Sequence, residues 1–324
     1  MIQKKADEIE AKICSEYSNT AGIVVYKDGV NVYETYFNGY TAGNAVHVCS
    51  VTKSVVSALI GIAVGKGCID GTNQHVLDYF PEYTVKPGEK TIQNITIKNL
   101  LTMTAPYKYD TEPYEKFFES PNPVYDALDL LGGEKPVGKF NYSAVGGTQI
   151  LSAVLSKAAG CPVFDFASEN LFSPLGVNVP RSVVLHSREE HLAFMNDRNS
   201  RGWISDPQGY NTAGWGLFLT PVEMAEFGQL YLNGGSWNGR QLVPAEWVSE
   251  STCEQSRCEE WGLSYGYLWW LTGGSSYAAL GDGGNVIYVN PEKNMVIAIA
   301  SLLVPEPKDR LELIKKYIEP AFAY

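Results

Sequence analysis

The chain has 324 residues, 45% of them hydrophobic, enough to bury a large core in one big domain or two intimately joined ones. A net charge of −11 and an isoelectric point near 4.9, with no basic stripe, exclude nucleic acid and anionic membrane as partners. The six cysteines (Cys14, Cys49, Cys68, Cys161, Cys253 and Cys258) are scattered, which suits free thiols in a reducing compartment rather than a disulfide framework.

Residues 1–18 read as a charged amphipathic helix and not as a secretory signal; with Met1 as the natural start, a cytoplasmic location is expected. Strands follow at 21–26 and 30–36, joined by the tight turn Lys27-Asp28-Gly29. Residues 51–64 are apolar or small on every face, the pattern of a helix through a core, with Gly65 and Gly67 as its stop. That run is too short and too rich in Ser and Gly to span a membrane. Helices are expected near 97–103, 123–131, 145–159, 163–172, 221–232 and 244–251, separated by Pro- and Gly-rich loops. Short β-rich runs then occupy 266–271, 277–280, 285–289 and 295–302, and a helix at 309–322 closes the chain. Strands so closely spaced must pair antiparallel. The expected fold is α+β: one antiparallel sheet built from both termini, 1–65 and 266–324, flanked by helices. A mostly helical region, 66–265, completes it, with a catalytic cleft between the two.

Chemistry concentrates at the start of the core helix. Ser50 stands where an N-cap residue is expected, and Lys53, three positions on, hangs over the same face. An ammonium buried in an apolar helix is costly, which favours the neutral amine, and the positive end of the helix dipole favours an alkoxide at Ser50. A hydroxyl beside such an amine is an activated nucleophile. This is the one Ser-x-x-Lys in the chain. Cys49 has no partner at a useful spacing and reads as packing. Cys253 and Cys258 lack a second pair or a nearby His, and His186 and His191 are wrongly spaced for two ligands on one helical face, so no metal site is expected. Trp261, Tyr265, Tyr267, Trp269 and Trp270 are candidates to line an acyl pocket, with core packing on the sheet as the default reading.

Ser50-Val51-Thr52-Lys53-Ser54 followed by Leu100-Leu101-Thr102-Met103-Thr104 resembles the serine β-lactamase and penicillin-binding-protein superfamily, nearest its class C-like esterase and amide-hydrolase branch. Leu171-Phe172-Ser173-Pro174-Leu175-Gly176 and Gly214-Trp215-Gly216-Leu217-Phe218-Leu219-Thr220-Pro221 continue the resemblance, which runs from about residue 21 to 302. It implies a β-lactamase-like fold, a small-molecule ester or amide substrate, an acyl-enzyme on Ser50, and neither metal nor cofactor. It also implies a proton-shuttling tyrosine, usually in Tyr-x-Asn. Among 20 tyrosines the one that matches by context is Tyr142 in Phe140-Asn141-Tyr142-Ser143-Ala144, where Ala144 replaces the asparagine. The third family element, a Lys or His followed by a small residue and Gly, falls on Asp282-Gly283-Gly284, with an acid in place of the cation. The oxyanion hole is then expected from the backbone N–H groups of Ser50 and Asn285, and substrate contacts from Asp282, Gly283 and Gly284. Two other functions compete: a binding homologue that lost the chemistry, and a true β-lactamase or D,D-peptidase. The missing export signal and Asp282 count against the latter.

Overall fold

The computed structural model describes residues 2–323, and an antiparallel sheet of eight strands forms its centre. In chain order these are β1 (Thr20–Lys27), β2 (Val30–Tyr36), β3 (Ser256–Cys258), β4 (Leu263–Tyr265), β5 (Trp270–Gly273), β6 (Ser276–Gly281), β7 (Asn285–Asn290) and β8 (Met295–Ser301). They lie in the order β2-β1-β8-β7-β6-β5-β4-β3, so the N-terminal hairpin closes onto the last strand. Thr20 stands opposite Ser301 and Lys27 opposite Met295, which makes one sheet of both termini.

Six helices matter to the layers and the site: α1 (Ile2–Glu16), α2 (Val51–Gly65), α3 (Tyr114–Glu119), α4 (Gly146–Ala159), α5 (Arg188–Asn196) and α6 (Pro221–Leu232). The central strands are covered on both faces, which is why Met295-Val296-Ile297-Ala298-Ile299-Ala300 is apolar without alternation. Ile23, Val25, Tyr288, Ile297 and Ile299 face a cluster with Ile9 and Ile13 of α1 and Ile314 and Ile318 near the C-terminus. Val24, Ile287, Val289, Val296 and Ala298 face the larger core on the other side, where α2 and α6 lie. Gly228 lets α6 settle on the sheet, since a Cβ there would stand 2.5 Å from Val296 Cγ1 and 2.8 Å from Ile287 Cγ2. In α2 every residue from Val51 to Ala63 is buried, and Gly61 leaves room for the Trp247 ring, 2.3 Å from where a Cβ would sit.

The sheet is wider than the sequence suggests. β3 and β4 lie inside the stretch expected to be mostly helical, and each is only three residues long, too short to show alternation among charged neighbours. The strand expected at 266–271 begins only at Trp270, because Gly266 N–H donates to Trp269 O and Leu268 takes φ +61° to turn the chain first. The sequence pattern predicts neither α3 nor α5. α5 opens on Arg188-Glu189-Glu190-His191 and owes its start to Ser187, whose hydroxyl accepts from Glu190 N–H, rather than to an apolar stripe. Among the described residues no single helix is long and apolar enough to cross a membrane. All six cysteines are free.

Candidate active site

The turn that carries Ser50 is held from both ends. Val46–His47 pairs with Phe218–Leu219, and Cys49 then takes φ +50°, a left-handed bend that delivers Ser50 to the N-terminus of α2. Ser50 occupies the N-cap position but its hydroxyl caps nothing. Instead it accepts from Lys53 Nζ at 2.8 Å, and the same nitrogen donates to Gly214 O at 2.9 Å. Lys53 is 2% exposed, has no carboxylate partner among the described residues, and lies over the Tyr142 ring, 5.4 Å from its centroid. A lysine so enclosed, with a hydroxyl and a carbonyl for company, is placed to exchange a proton with that hydroxyl.

Cys49 is a poor competitor. Burial, with the Asp282 charge adding to it, pushes its thiol up to about 12, so the thiolate is scarce at neutral pH. Its Sγ lies 3.3 Å from His47 Nδ1. Burial drives His47 down to about 3, so the ring is neutral. Its Nε2 accepts from Gly216 N–H at 2.9 Å, which leaves the ring proton on Nδ1, facing Cys49.

The shared sequence strings have physical work in this site. Gly214 O holds Lys53, Gly216 N–H holds His47, and Leu217 N–H donates to Thr52 Oγ1 of α2. Residue 214 must be glycine, because a Cβ would lie 2.2 Å from Ala144 O. Met103, at φ +54°, accepts from Asn141 N–H at 2.7 Å and so ties the Leu-Leu-Thr-Met-Thr turn to the segment carrying Tyr142. Tyr142 stacks on Trp270 at 5.9 Å between centroids. His47, Glu112 and the α3 and α5 walls carry no sequence signal, whereas Trp215 lies in one of the resembling strings, between two glycines.

The turn between β6 and β7 supplies the opposite wall. Gly281 makes the close approach: a Cβ there would lie 2.4 Å from Val48 O and 3.2 Å from Ser50 N. Gly283 and Gly284, expected to admit a ligand, have another reason to be glycine. They sit at φ +75° and +92° and face Leu302 O and the Arg310 side chain. Gly284 borders the cleft, whereas Gly283 is buried against its own chain. Asn285 is fully buried; its side chain donates to Asp282 O and accepts from Ser301 N–H, bracing the turn. Asp282 itself is exposed and borders the cleft beside Ser50.

Ser50 lies where two cavities meet, with Tyr114, Ala144 and Asp282 on their common border. The larger, about 500 Å³, is walled by Phe118, Val145, Leu192, Met195, Trp215 and Leu303. The smaller, about 330 Å³, is bounded by Tyr142, Trp261, Trp270, Lys308 and Arg310. Of the aromatic run, Trp261 and Trp270 therefore line the cleft, while Tyr265, Tyr267 and Trp269 are core. Among the described residues no cluster of three His, Cys, Asp or Glu side chains is arranged to hold a metal ion.

The beta-lactamase family model matches residues 12–319. The chain belongs to the beta-lactamase family. It is similar to the 6-aminohexanoate-dimer hydrolase of Paenarthrobacter ureafaciens, 22% identical over 318 positions that cover 91% of this chain and 75% of that one. Among solved structures it resembles a putative 6-aminohexanoate-dimer hydrolase from Bacillus anthracis (TM-score 0.75, 22% identity, 96% of this chain and 81% of that one). It also resembles a family VIII carboxylesterase (TM-score 0.73, 16% identity, 98% and 97%). The β-lactamase-like fold expected from the sequence is thus the observed one, and this beta-lactamase-family chain is a serine hydrolase.

Proposed function

We propose that Ser50 forms an acyl-enzyme with small-molecule esters or amides, the hydrolysed acyl group or its leaving group occupying the apolar 500 Å³ cavity. The observation that carries this is the buried Lys53 amine 2.8 Å from Ser50 Oγ at the mouth of that cavity. Lys53 takes the Ser50 proton as Oγ bonds to the carbonyl carbon. Tyr142 passes a proton to the departing oxygen or nitrogen, and water then cleaves the acyl bond. Ser50 N–H is one oxyanion donor. The sequence points to Asn285 for the other, but Gly281 is the backbone that closes on Ser50 N, so we assign the second donor to the N–H that follows it, that of Asp282. Each such donor contributes roughly 3 kcal/mol to the transition state. The relatives' names fit this reading, since one cleaves an amide and another an ester. A fluorophosphonate probe tests it: intact-mass analysis should show one adduct, on Ser50, and an unlabelled active enzyme would exclude this nucleophile.

Asp282 gives the site a charge preference. Two unit charges about 4 Å apart repel by about 1 kcal/mol in water, the limit suited to an exposed side chain. Reversing the sign with Asp282→Lys turns that repulsion into a similar attraction. The expected result is a shift of about 2 kcal/mol, roughly thirtyfold in kcat/KM, toward substrates bearing a carboxylate beside the scissile bond. Penicillins should be poor substrates of the wild type. Rapid hydrolysis of benzylpenicillin by the wild type, or an unchanged ratio in the variant, would remove Asp282 from substrate selection.

A further inference from the structure

We propose that Glu112 is a positioning residue that sets the Tyr142 phenol against the Ser50 centre, an inference that rests on Tyr142 as the proton shuttle. Glu112 is 9% exposed and pairs with no cation among the described residues. Burying a lone carboxylate is expensive unless its oxygens are filled. Here both are. Oε1 accepts from Ser143 Oγ at 2.8 Å, Val145 N–H at 3.1 Å and Gly146 N–H at 2.8 Å, and Oε2 accepts from Ala144 N–H at 2.6 Å.

Those donors follow Tyr142 without a gap. Glu112 therefore fixes the chain leaving the tyrosine, while Met103 O, through Asn141 N–H, fixes the chain entering it. The N-cap residue of α4, Val145, offers no capping side chain, so the Glu112 carboxylate takes that role at the positive end of the helix dipole. Where the family usually carries asparagine, Ala144 has no polar group to anchor the turn, and Glu112 anchors it through the backbone instead. The same residue reaches the cleft wall, because Glu112 O accepts from Tyr114 N–H at 3.0 Å and the Tyr114 ring borders both cavities. A misplacement of about 1 Å at a reacting group costs on the order of a hundredfold in rate.

The decisive experiment is a double-mutant cycle of Glu112→Gln and Tyr142→Phe, with kcat and KM measured on a p-nitrophenyl ester. Glutamine keeps the shape but turns an amide NH2 toward one of the backbone donors. Tyr142→Phe alone should slow kcat at least about a hundredfold. Glu112→Gln alone should lower kcat about ten- to a hundredfold with KM within about twofold, and the double variant should be no slower than Tyr142→Phe. A buried carboxylate away from the cleft is the control: Glu223 accepts from Thr220 N–H, Asn178 N–H and Arg201. Glu223→Gln should lower the melting temperature and leave kcat alone. If Glu112→Gln does not fold, Ser143→Ala removes one of the four donors and should give a smaller kcat loss with the same non-additivity. Wild-type kcat in Glu112→Gln, losses that multiply with Tyr142→Phe, or an equal kcat loss in Glu223→Gln overturns the inference. A Tyr142→Phe enzyme with the wild-type rate overturns the shuttle itself, a distinguishable result.

Discussion

Ser50→Ala is expected to abolish ester hydrolysis, a loss on the order of 10⁴-fold or more in kcat, and to leave the fold intact. The fold survives because the Ser50 hydroxyl caps no backbone N–H of α2, so its removal leaves no helix donor unpaired. The rate does not survive because nothing nearby replaces it. Thr52 Oγ1 donates to Cys49 O at 2.7 Å and Ser54 Oγ to Leu268 O at 2.7 Å, and both are buried. Cys49, the adjacent thiol, is held far from its thiolate by burial. Turnover of p-nitrophenyl acetate, fluorophosphonate labelling and thermal melting of the variant make the test. A folded variant at the wild-type rate would place the nucleophile elsewhere.

What the sequence discloses here is what local pattern encodes. The apolar helix after Ser50 is legible because one residue after another in it is buried, so every face must be apolar. The strands β1, β2, β6, β7 and β8 are legible because each is six residues or longer and bounded by turn residues. The edge strand β3 and its neighbour β4 are not, being too short to carry a period. Site residues divide the same way. Ser50 and Lys53 lie one helical turn apart, so spacing alone brings them together. Glu112 meets the residues 143–146 only through the fold, and an isolated glutamate in a loop gives no sign that four donors await it. The glycines at 283 and 284 show the converse. They look like a ligand approach, yet their positive φ and their contacts with Leu302 and Arg310 suffice to explain them. The donor proposed at Asp282 N–H is hard to read for the same reason, since three glycines crowd into 281–284 and only the close approach of Gly281 to Ser50 N singles out this point of the turn.

Lys53→Met should lower kcat/KM at least about a hundredfold, the lower range for a positioned acid–base group, without weakening the fold. Methionine is unbranched and of similar length, so it can fill the buried space of the lysine stem. No carboxylate loses a partner, because none pairs with Lys53 among the described residues. Two acceptors do lose one, Ser50 Oγ and Gly214 O, and an unmet buried carbonyl costs about 1–3 kcal/mol. Relief from holding an amine in a site 2% exposed acts in the opposite direction, so the melting temperature should move by only a few degrees. The chemical step has no such compensation. Without the amine, the Ser50 proton must leave to water or to the Tyr142 phenol alone, and fluorophosphonate labelling should slow along with turnover. Equal slowing of both reactions identifies Lys53 with activation of the nucleophile, whereas turnover lost with labelling intact would assign it to the deacylation step. A Lys53→Met enzyme as fast as the wild type in both would leave the lysine a packing residue.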